Sequence, residues 1–322
     1  MKAIQVRQPG GPDVLELVDL PTPQPKSHEA VVKTAASGVN FIDVYLREGR
    51  YKGPFPFVAG QEGAGTITAI GSDVKLVKPG DRVAWSGILG SYAEYLAAPV
   101  EGLVPVPQNV ADQSAAAAML QGMTAHYLCH DTYPLKPGET ALIHAAAGGV
   151  GLLLVQMAHN LGSRVIGTVS TEEKAKLTRQ AGADEVILYT QTDFEDETKR
   201  LTGGKGVDVA YDGVGKATFE KSLNVLRPRG MLVLYGASSG PVPPVDPMTL
   251  SQKGSLYMAR TMLAHFTATR DELLARSGAV FEMIASGKLK LRIAHVYKLE
   301  EAQQAHRDLE GRKTTGKLLL IP

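Results

Sequence analysis

A buried strand, a loop of small residues and the start of a helix follow one another near the middle of the chain. Residues 136–151 read as a turn, a strand and a loop that contains Ala146, Gly148 and Gly151, and the apolar run 152–156 follows. The three small residues have the spacing of the dinucleotide fingerprint, with alanine in place of its first glycine. Such a loop presents backbone N–H groups at the positive end of a helix, so the sequence predicts a nucleotide-binding βα unit; the alternative is a tight turn that only packs. The residues expected at the pyrophosphate are Gly148, Gly149 and Val150.

The next strand indicates which nicotinamide cofactor is bound. It runs over Arg164–Val169 and ends in Ser170 and Thr171, and Lys174 follows. A site that prefers NAD normally has a carboxylate here for the ribose 2′-hydroxyl, whereas two hydroxyls and an ammonium suit a 2′-phosphate. Glu172 and Glu173 leave NADH open, although acidic residues in the first turn of a helix favour its dipole and face solvent. NADPH is therefore the expected cofactor.

Composition limits the class of protein and its partners. A length of 322 residues suggests two domains, and a net charge of +1 without a basic stripe predicts neither a nucleic-acid nor a membrane partner. Met1 leads directly into the strand-like Lys2–Val6, which predicts that there is no signal peptide. The single cysteine, Cys129, excludes an internal disulfide and fits a reducing compartment, so a cytoplasmic location is expected.

The chain shows two patterns of secondary structure. Up to about residue 120, short β-type runs alternate with Gly and Pro, which predicts a small barrel or sandwich. From about 122 to 260, strands alternate with helical stretches, which predicts a parallel sheet built from βαβ units. Helices near 271–286 and 299–310 and strands near 293–298 and 317–321 do not extend that alternation. The expected domains are 1–121 plus 263–322, and 122–262.

Motifs along nearly the whole chain resemble one family. The chain is similar to the zinc-free medium-chain dehydrogenases/reductases, and within them to the NADPH:quinone oxidoreductases related to ζ-crystallin. This resemblance implies an α/β protein with a Rossmann-type doubly wound parallel sheet domain and a GroES-like, mainly-β barrel domain. Besides the glycine loop, the matching segments are 36–45, 60–65, 78–83, 211–215 and 316–322.

The resemblance also implies that the protein works without a metal. Zinc relatives bind a catalytic metal at three positions that are held here by Asn40, Gln61 and Leu120. Leucine cannot ligate zinc and neutral amides are poor ligands, and one cysteine cannot supply a four-cysteine structural site. Alcohol oxidation in this superfamily uses zinc to lower the pKa of the hydroxyl. The implied reaction is instead reduction of a quinone or another conjugated carbonyl by NADPH.

Site residues follow from the resemblance, position by position. Asn40 and Asp43 are expected to bond the ribose or the carboxamide, or else only to cap a local turn. Tyr45 and Tyr51 are expected to shape the acceptor pocket and are candidates for protonating the product, although a water could serve. These four residues form the candidate catalytic set. The other expected cofactor contacts are Phe41, Ile42, Tyr127, Gly148, Gly149, Val150, Ser170, Thr171, Lys174, Tyr189, Gly213, Val214, Ser238, Ser239, Gly240, Arg260 and Arg312.

Two other functions and one assembly remain open. The first alternative is an NADPH-dependent enone or alkenal double-bond reductase with a different acceptor pocket. The second is an NADPH-binding structural or RNA-binding protein, against which the near-neutral charge argues. The Gly- and Pro-rich segment 236–247 follows an apolar strand, and relatives continue their sheet across a two-fold axis. A homodimer through the Rossmann sheet edge is therefore expected.

Overall fold

A computed structural model describes residues 1–51 and 53–322 of the chain. The chain divides into two units, of which the first comprises Met1–Met123 and Thr267–Pro322 and the second comprises Thr124–Phe266. The boundaries expected from the sequence, after residues 121 and 262, differ from this division by two and four residues.

The N-terminal part of the chain is mainly β structure. Its strands are β1 (Lys2–Val6), β2 (Leu15–Asp19), β3 (Glu29–Val39), β4 (Phe57–Val58), β5 (Glu62–Ile70), β6 (Arg82–Ser86), β7 (Tyr95–Pro99) and β8 (Val104–Pro105). Its helices are α1 (Phe41–Arg47) and α2 (Asp112–Tyr127), and α2 continues as a π-helix over Leu128–Thr132. Just before β7, Ala93 forms an isolated bridge with Ala3.

The remainder alternates between strands and helices before it returns to β structure. The middle elements are β9 (Thr140–Ile143), α3 (Gly149–Asn160), β10 (Arg164–Val169), α4 (Glu172–Gln180), β11 (Glu185–Leu188), α5 (Phe194–Leu201), β12 (Val207–Asp212), α6 (Phe219–Asn224), β13 (Leu226–Leu234), α7 (Pro247–Gln252) and β14 (Tyr257–Arg260). The last elements are α8 (Arg270–Ala285), β15 (Ile293–Lys298), α9 (Ala302–Glu310) and β16 (Lys317–Ile321).

The second unit contains a six-stranded parallel sheet. Its strand order is β11-β10-β9-β12-β13-β14, and every neighbouring pair is parallel. The order reverses between β9 and β12, which is the switch point where doubly wound sheets bind ligands at the carboxyl ends of their strands. Ile143 pairs with both Gly167 and Tyr211, so the ends of three strands lie side by side. The expected doubly wound fold is confirmed.

The first unit is organised around the long strand β3. The sheet order is β15-β16-β3-β5-β6-β8, and β7 also pairs with β3. The C-terminal strand β16 therefore lies antiparallel to β3, with Leu318 opposite Val39. Trp85, Ile67 and Leu103 are buried in the core of this sheet. The pairing places the C-terminal strand next to residues 37–39, just before the beginning of α1.

The helices are short. The longest α-helices, α2 and α8, have 16 residues each, and no helix in the described parts of the chain is long and apolar enough to cross a membrane.

Candidate functional site

The glycine loop joins β9 to α3 in a conformation that requires small residues. Gly148 is the N-cap of α3, and its N–H donates to the Ala145 carbonyl at 2.8 Å. A Cβ on Gly151 would collide with that carbonyl oxygen, so the helix can approach the loop only with glycine there. A Cβ on Gly167 would lie 2.9 Å from the Cβ of Ala146. It would also lie 2.7 Å from Thr178 Cγ2, so glycine in β10 makes room both for this threonine and for the alanine that replaces the first fingerprint glycine.

The candidate 2′-phosphate residues meet at the start of α4. Thr171 is the N-cap of this helix, and its Oγ1 accepts the backbone N–H of Lys174 at 3.3 Å. The threonine O–H can still donate to a phosphate oxygen. Glu172 is exposed and binds Arg179 at 2.6 Å, which fits a solvent-facing carboxylate in the first turn of the helix. Ser170 and Lys174 are half-buried beside Thr171.

Two further loops at the carboxyl edge of the sheet are fastened to each other. Asp212 is fully buried and accepts the N–H groups of Val214 at 2.7 Å and Gly215 at 2.9 Å. The Ser239 hydroxyl donates to the Val214 carbonyl at 2.7 Å and accepts the Ala217 N–H at 3.0 Å. The amide of Val214 and the hydroxyl of Ser239 are thus already occupied. A cofactor contact from Val214 or Ser239 therefore uses other groups than the Val214 N–H and the Ser239 O–H proton, and Gly213, Ser238 and Gly240 lie in the same two loops.

A buried histidine, His144, contacts residues of β10 and α6 near this edge of the sheet. His144 Nδ1 lies 2.9 Å from the Thr168 hydroxyl, and its Nε2 lies 2.9 Å from the Ser222 hydroxyl. Ser222 in turn donates to Asp212 at 3.3 Å. Burial lowers the pKa of His144 below 6.5, against the opposing effect of the Asp212 carboxylate. The imidazole therefore joins β10 to α6 as a neutral group.

The remaining candidates in the second unit differ in exposure. Tyr127 is 1% exposed, stacks on Phe266 with ring centroids 4.2 Å apart, and its hydroxyl lies 3.1 Å from that of Thr261. The ring of Tyr127 is therefore enclosed in the unit's own core. Tyr189 follows β11 and is 42% exposed, so its ring is accessible to a ligand. Arg260 lies exposed on β14 and donates to the Thr261 carbonyl at 2.9 Å.

In the first unit, Asn40 is the N-cap of α1 and Asp43 is the third residue of this helix. The Asp43 Oδ2 accepts the backbone N–H of Asn40 at 2.9 Å and the hydroxyl of Tyr92 at 3.0 Å. Its Oδ1 is buried and has no partner among the described residues. Burial raises the pKa of Asp43 from 3.8 to about 7, so this carboxyl group can hold a proton near neutral pH.

A chain of hydrogen bonds leads from Asp43 to the surface. Arg47 is buried and binds both oxygens of Glu310, at 2.7 and 3.1 Å, and lies 3.0 Å from His306 Nδ1. Because a guanidinium only donates, Nδ1 accepts, and Nε2–H donates to the Tyr92 oxygen at 3.2 Å. Burial, reinforced by the Arg47 charge, lowers the pKa of His306 to about 3. The network is thus polarised from Arg47 towards the Asp43 carboxyl group.

A second buried cluster surrounds the side chain of Asn40. Its Nδ2 donates to Glu62 Oε2 at 2.7 Å, and its Oδ1 accepts Lys317 Nζ at 2.8 Å and Gln121 Nε2 at 3.2 Å. Glu62 Oε1 accepts the Leu120 N–H at 2.6 Å, and Glu62 also binds Lys317 directly. Glu62 and Lys317 lie in the family-like segments 60–65 and 316–322, but no role was predicted for either residue from the sequence. The sequence signal that could have indicated their burial is that each charged residue stands within a run of small or apolar residues.

The residues present do not fit a zinc site. Of the three expected ligand positions, Asn40 offers an amide that is already bonded, and Leu120 contributes a backbone N–H to the cluster. The Lys317 ammonium lies within the same cluster and would repel a metal cation. Within residues 1–51 and 53–322, no group of three His, Cys, Asp or Glu side chains is placed to hold a metal ion.

Aromatic side chains lie along and just after α1. Tyr45 is 7% exposed, and its ring centroid lies 6.2 Å from that of Phe41 and 6.0 Å from that of Tyr51. Phe41 and Ile42 occupy the first turn of α1 and are half-buried. Arg312 lies in the exposed turn between α9 and β16 with a φ of 56°. The first unit thus brings Asn40, Asp43, Tyr45 and Tyr51 together around one helix.

Comparisons with known proteins identify the family. Residues 26–108 match the model described as "Alcohol dehydrogenase GroES-like domain", and residues 149–276 match "Zinc-binding dehydrogenase". The chain is 46% identical to a quinone oxidoreductase of Pseudomonas aeruginosa over 323 residues, covering 100% of this chain and 99% of the relative. It is 40% identical to a 2-haloacrylate reductase of a Burkholderia species, covering 99% of this chain and 98% of the relative.

A solved structure agrees with this assignment. The Escherichia coli quinone oxidoreductase complexed with NADPH superimposes with a TM-score of 0.98 at 43% identity and covers 100% of both chains. Identity of this extent over the full length, together with the two domain matches, establishes that the chain belongs to the NADPH:quinone oxidoreductase family of the zinc-free medium-chain dehydrogenases/reductases.

Proposed function

We propose that the protein is an NADPH-dependent quinone reductase that transfers reducing equivalents from the nicotinamide to a quinone without a metal. The observation that carries this proposal is the carboxyl edge of the parallel sheet, where the glycine loop and the Thr171-capped helix meet without a carboxylate at the end of β10. The quinone oxidoreductases at 44–46% identity support the substrate class.

The residues of this edge fit NADPH. Gly148, Gly149 and Val150 would hold the pyrophosphate at the start of α3, where the helix dipole favours an anion. The Ser170 and Thr171 hydroxyls and the Lys174 ammonium would hold the 2′-phosphate. Bound there, the cofactor supplies a hydride from its nicotinamide ring. The protein's own contribution is to orient the acceptor and to exclude water.

The acceptor side is proposed to lie at α1. The Asn40 side chain is fully engaged in its own cluster, so it acts through the position of the helix start rather than through a new bond to a ligand. Tyr45 and Tyr51 lie together and supply aromatic surface for a planar acceptor. Their phenols remain the candidate proton donors.

The first experiment measures binding of NADPH and NADH by nucleotide fluorescence. NADPH should bind at least about tenfold more tightly, and Lys174→Ala should remove that preference. Lys176→Ala is the matched control, because Lys176 is exposed on the same helix. Equal affinities for the two cofactors would instead favour Glu172 or Glu173 as ribose ligands. With NADPH bound, oxidation by benzoquinones and naphthoquinones then tests the reaction, and no turnover of any quinone would refute it.

A conjugated alkene is the second candidate acceptor. The observation that favours it is the 40% identity to a 2-haloacrylate reductase, whose name describes reduction of a short conjugated acid. Both reactions deliver a hydride to a conjugated acceptor, so only the acceptor pocket distinguishes them. Comparing kcat/KM for quinones, alkenals and 2-haloacrylates at saturating NADPH ranks the two functions. A higher value for an alkene would replace the first proposal.

We propose that nucleic acid is not a partner of this protein. We also propose that the protein is located in the cytoplasm. The net charge of +1 supports the first statement, because binding to phosphate backbones requires concentrated positive charge. Cys129, the single cysteine of the sequence, is buried, and a single cysteine is consistent with the second. A gel-shift assay with RNA at low salt tests the structural or RNA-binding alternative. Fractionation of cells tests the location.

We also propose a homodimer through strand β14. This strand is the edge of the six-stranded sheet, and it exposes Tyr257 at 57% and Met258 at 37%, with Met262 at 43% just beyond. Open edges with apolar side chains favour pairing with another strand. Tyr257→Lys should convert the dimer to a monomer in sedimentation velocity. Val296→Lys, at the edge of the other large sheet, is the control and should leave the dimer intact.

A further inference from the structure

A lysine and a glutamate form a buried ion pair next to the start of α1. Lys317 is 2% exposed and Glu62 is not exposed at all, and the two side chains bind each other directly. A Cβ on Gly38 would overlap the glutamate carboxylate and lie 2.7 Å from Lys317 Nζ. The glycine of β3 therefore provides the space for this pair. Charged residues are almost never fully buried without such a partner.

The ion pair, Gln121 and Gly38 together use the whole hydrogen-bonding capacity of the Asn40 side chain. The amide has two acceptor positions, which receive Lys317 and Gln121, and two donor hydrogens, which reach Glu62 at 2.7 Å and the Gly38 carbonyl at 3.3 Å. Because Lys317 can only donate and ionised Glu62 can only accept, the two charges also fix which way the amide points. A flipped amide would place its NH2 group against the ammonium.

This cluster joins elements that are distant in the sequence. Lys317 begins the C-terminal strand β16, Glu62 begins β5, and Gln121 lies on α2. Asn40 is the N-cap of α1, the helix that carries Asp43 and Tyr45. The orientation of the cap residue sets where the helix begins and hence where its side chains lie.

We propose that Lys317 is a positioning residue for the quinone reaction: its buried ammonium neutralises Glu62, fixes Asn40 and so holds α1 in its working position. This inference rests on the proposed function.

Chemical rescue of Lys317→Ala tests the proposal. The atoms removed by this change are those of propylammonium, which can occupy the vacated space and restore the charge. We expect kcat/KM for the quinone to fall at least about tenfold, while the NADPH dissociation constant changes less than about twofold. Propylammonium should restore most of the lost activity, and the uncharged propan-1-ol should not. Lys298→Ala is the control, because that lysine ends the neighbouring strand with its side chain 79% exposed, and its activity should respond to neither compound.

A pair of charge variants keeps the proposal testable if Lys317→Ala does not fold. Lys317→Met leaves the buried Glu62 carboxyl group without its cation, whereas Lys317→Met combined with Glu62→Gln removes both members of the ion pair. The double variant should be the more active of the two by at least about threefold. Equal activity of these variants would overturn the proposal, as would rescue by propan-1-ol as strong as that by propylammonium. Absence of quinone turnover in the wild-type protein would instead refute the proposed function, and the positioning role with it.

Discussion

Replacing Arg47 with methionine should destabilise the first unit strongly. The guanidinium is 1% exposed and makes two bonds to Glu310, one to His306 and one, at 3.0 Å, to the Gly10 carbonyl. Methionine fills much of the space but can make none of these bonds. The change leaves a carboxylate, an imidazole nitrogen and a carbonyl without their donor.

The expected loss follows from the burial of the partners. Breaking a buried ion pair by removing one member costs about 3–5 kcal/mol. The Glu310 side chain is 28% exposed, and water can solvate part of its charge, so the lower end of about 3 kcal/mol applies here. For a unit of about 180 residues, this corresponds to a fall in Tm of roughly 6–12 °C.

Urea unfolding followed by tryptophan fluorescence measures this loss. The chain has one tryptophan, Trp85, which is fully buried in the same unit. Adding Glu310→Gln to Arg47→Met removes the stranded charge and should recover at least about 1 kcal/mol. A loss below about 1 kcal/mol, or no recovery in the double variant, would refute the electrostatic explanation.

The pH dependence of this loss provides an independent check. In the wild type the folded pKa of His306, about 3, lies below the ordinary 6.5, so the unfolded chain binds the extra proton and stability falls as the pH drops below 6.5. The Arg47 charge contributes to that depression of the pKa, so His306 in the variant takes up a proton more readily. The difference in stability between wild type and Arg47→Met should therefore shrink from pH 7 to pH 4. A constant difference would show that His306 does not respond to the guanidinium.

Three further predictions concern the two candidate sites. Gly151→Ala forces a Cβ onto the Ala145 carbonyl, so NADPH affinity measured by fluorescence should fall at least about tenfold, and unchanged affinity would contradict the proposed loop geometry. Asp43 has a folded pKa of about 7, above the ordinary 3.8, so the folded state binds the extra proton, and the contribution of this group to stability declines as the pH rises from about 4 to 7, opposite in sign to the contribution of His306. Asp43→Asn should remove up to about 4 kcal/mol of that decline, seen as a smaller difference between urea unfolding at pH 4 and at pH 8. Gly167→Ala should lower Tm because its Cβ meets Thr178 and Ala146, and the double variant Ala146→Gly/Gly167→Ala, which removes only the second contact, should recover part of the loss.

The glycine loop and the strand–helix alternation could be predicted because each depends on neighbouring residues. A strand followed by small residues and an apolar helix specifies a βα turn locally, and the structure has β9, the loop and α3 in that order. The acidic first turn of α4 likewise follows from helix electrostatics. The departure at Ala146 could be noted from the sequence, but its compensation by Gly167 could not, because the two residues meet only through sheet packing.

By itself, the sequence determined the doubly wound fold, its glycine loop and the likeness to quinone oxidoreductases, because these depend on periodicity, spacing and motif. Only the tertiary structure decided what the polar residues of the first unit do. Asn40 and Lys317 lie at opposite ends of the sequence, and the pairing of β16 with β3 brings them within 2.8 Å. Arg47 and His306 are also distant in the sequence, and the fold brings the guanidinium to 3.0 Å from His306 Nδ1. A carboxylate, an amide or an imidazole looks the same in the sequence whether it faces solvent or a buried partner, and the partner is chosen by the fold.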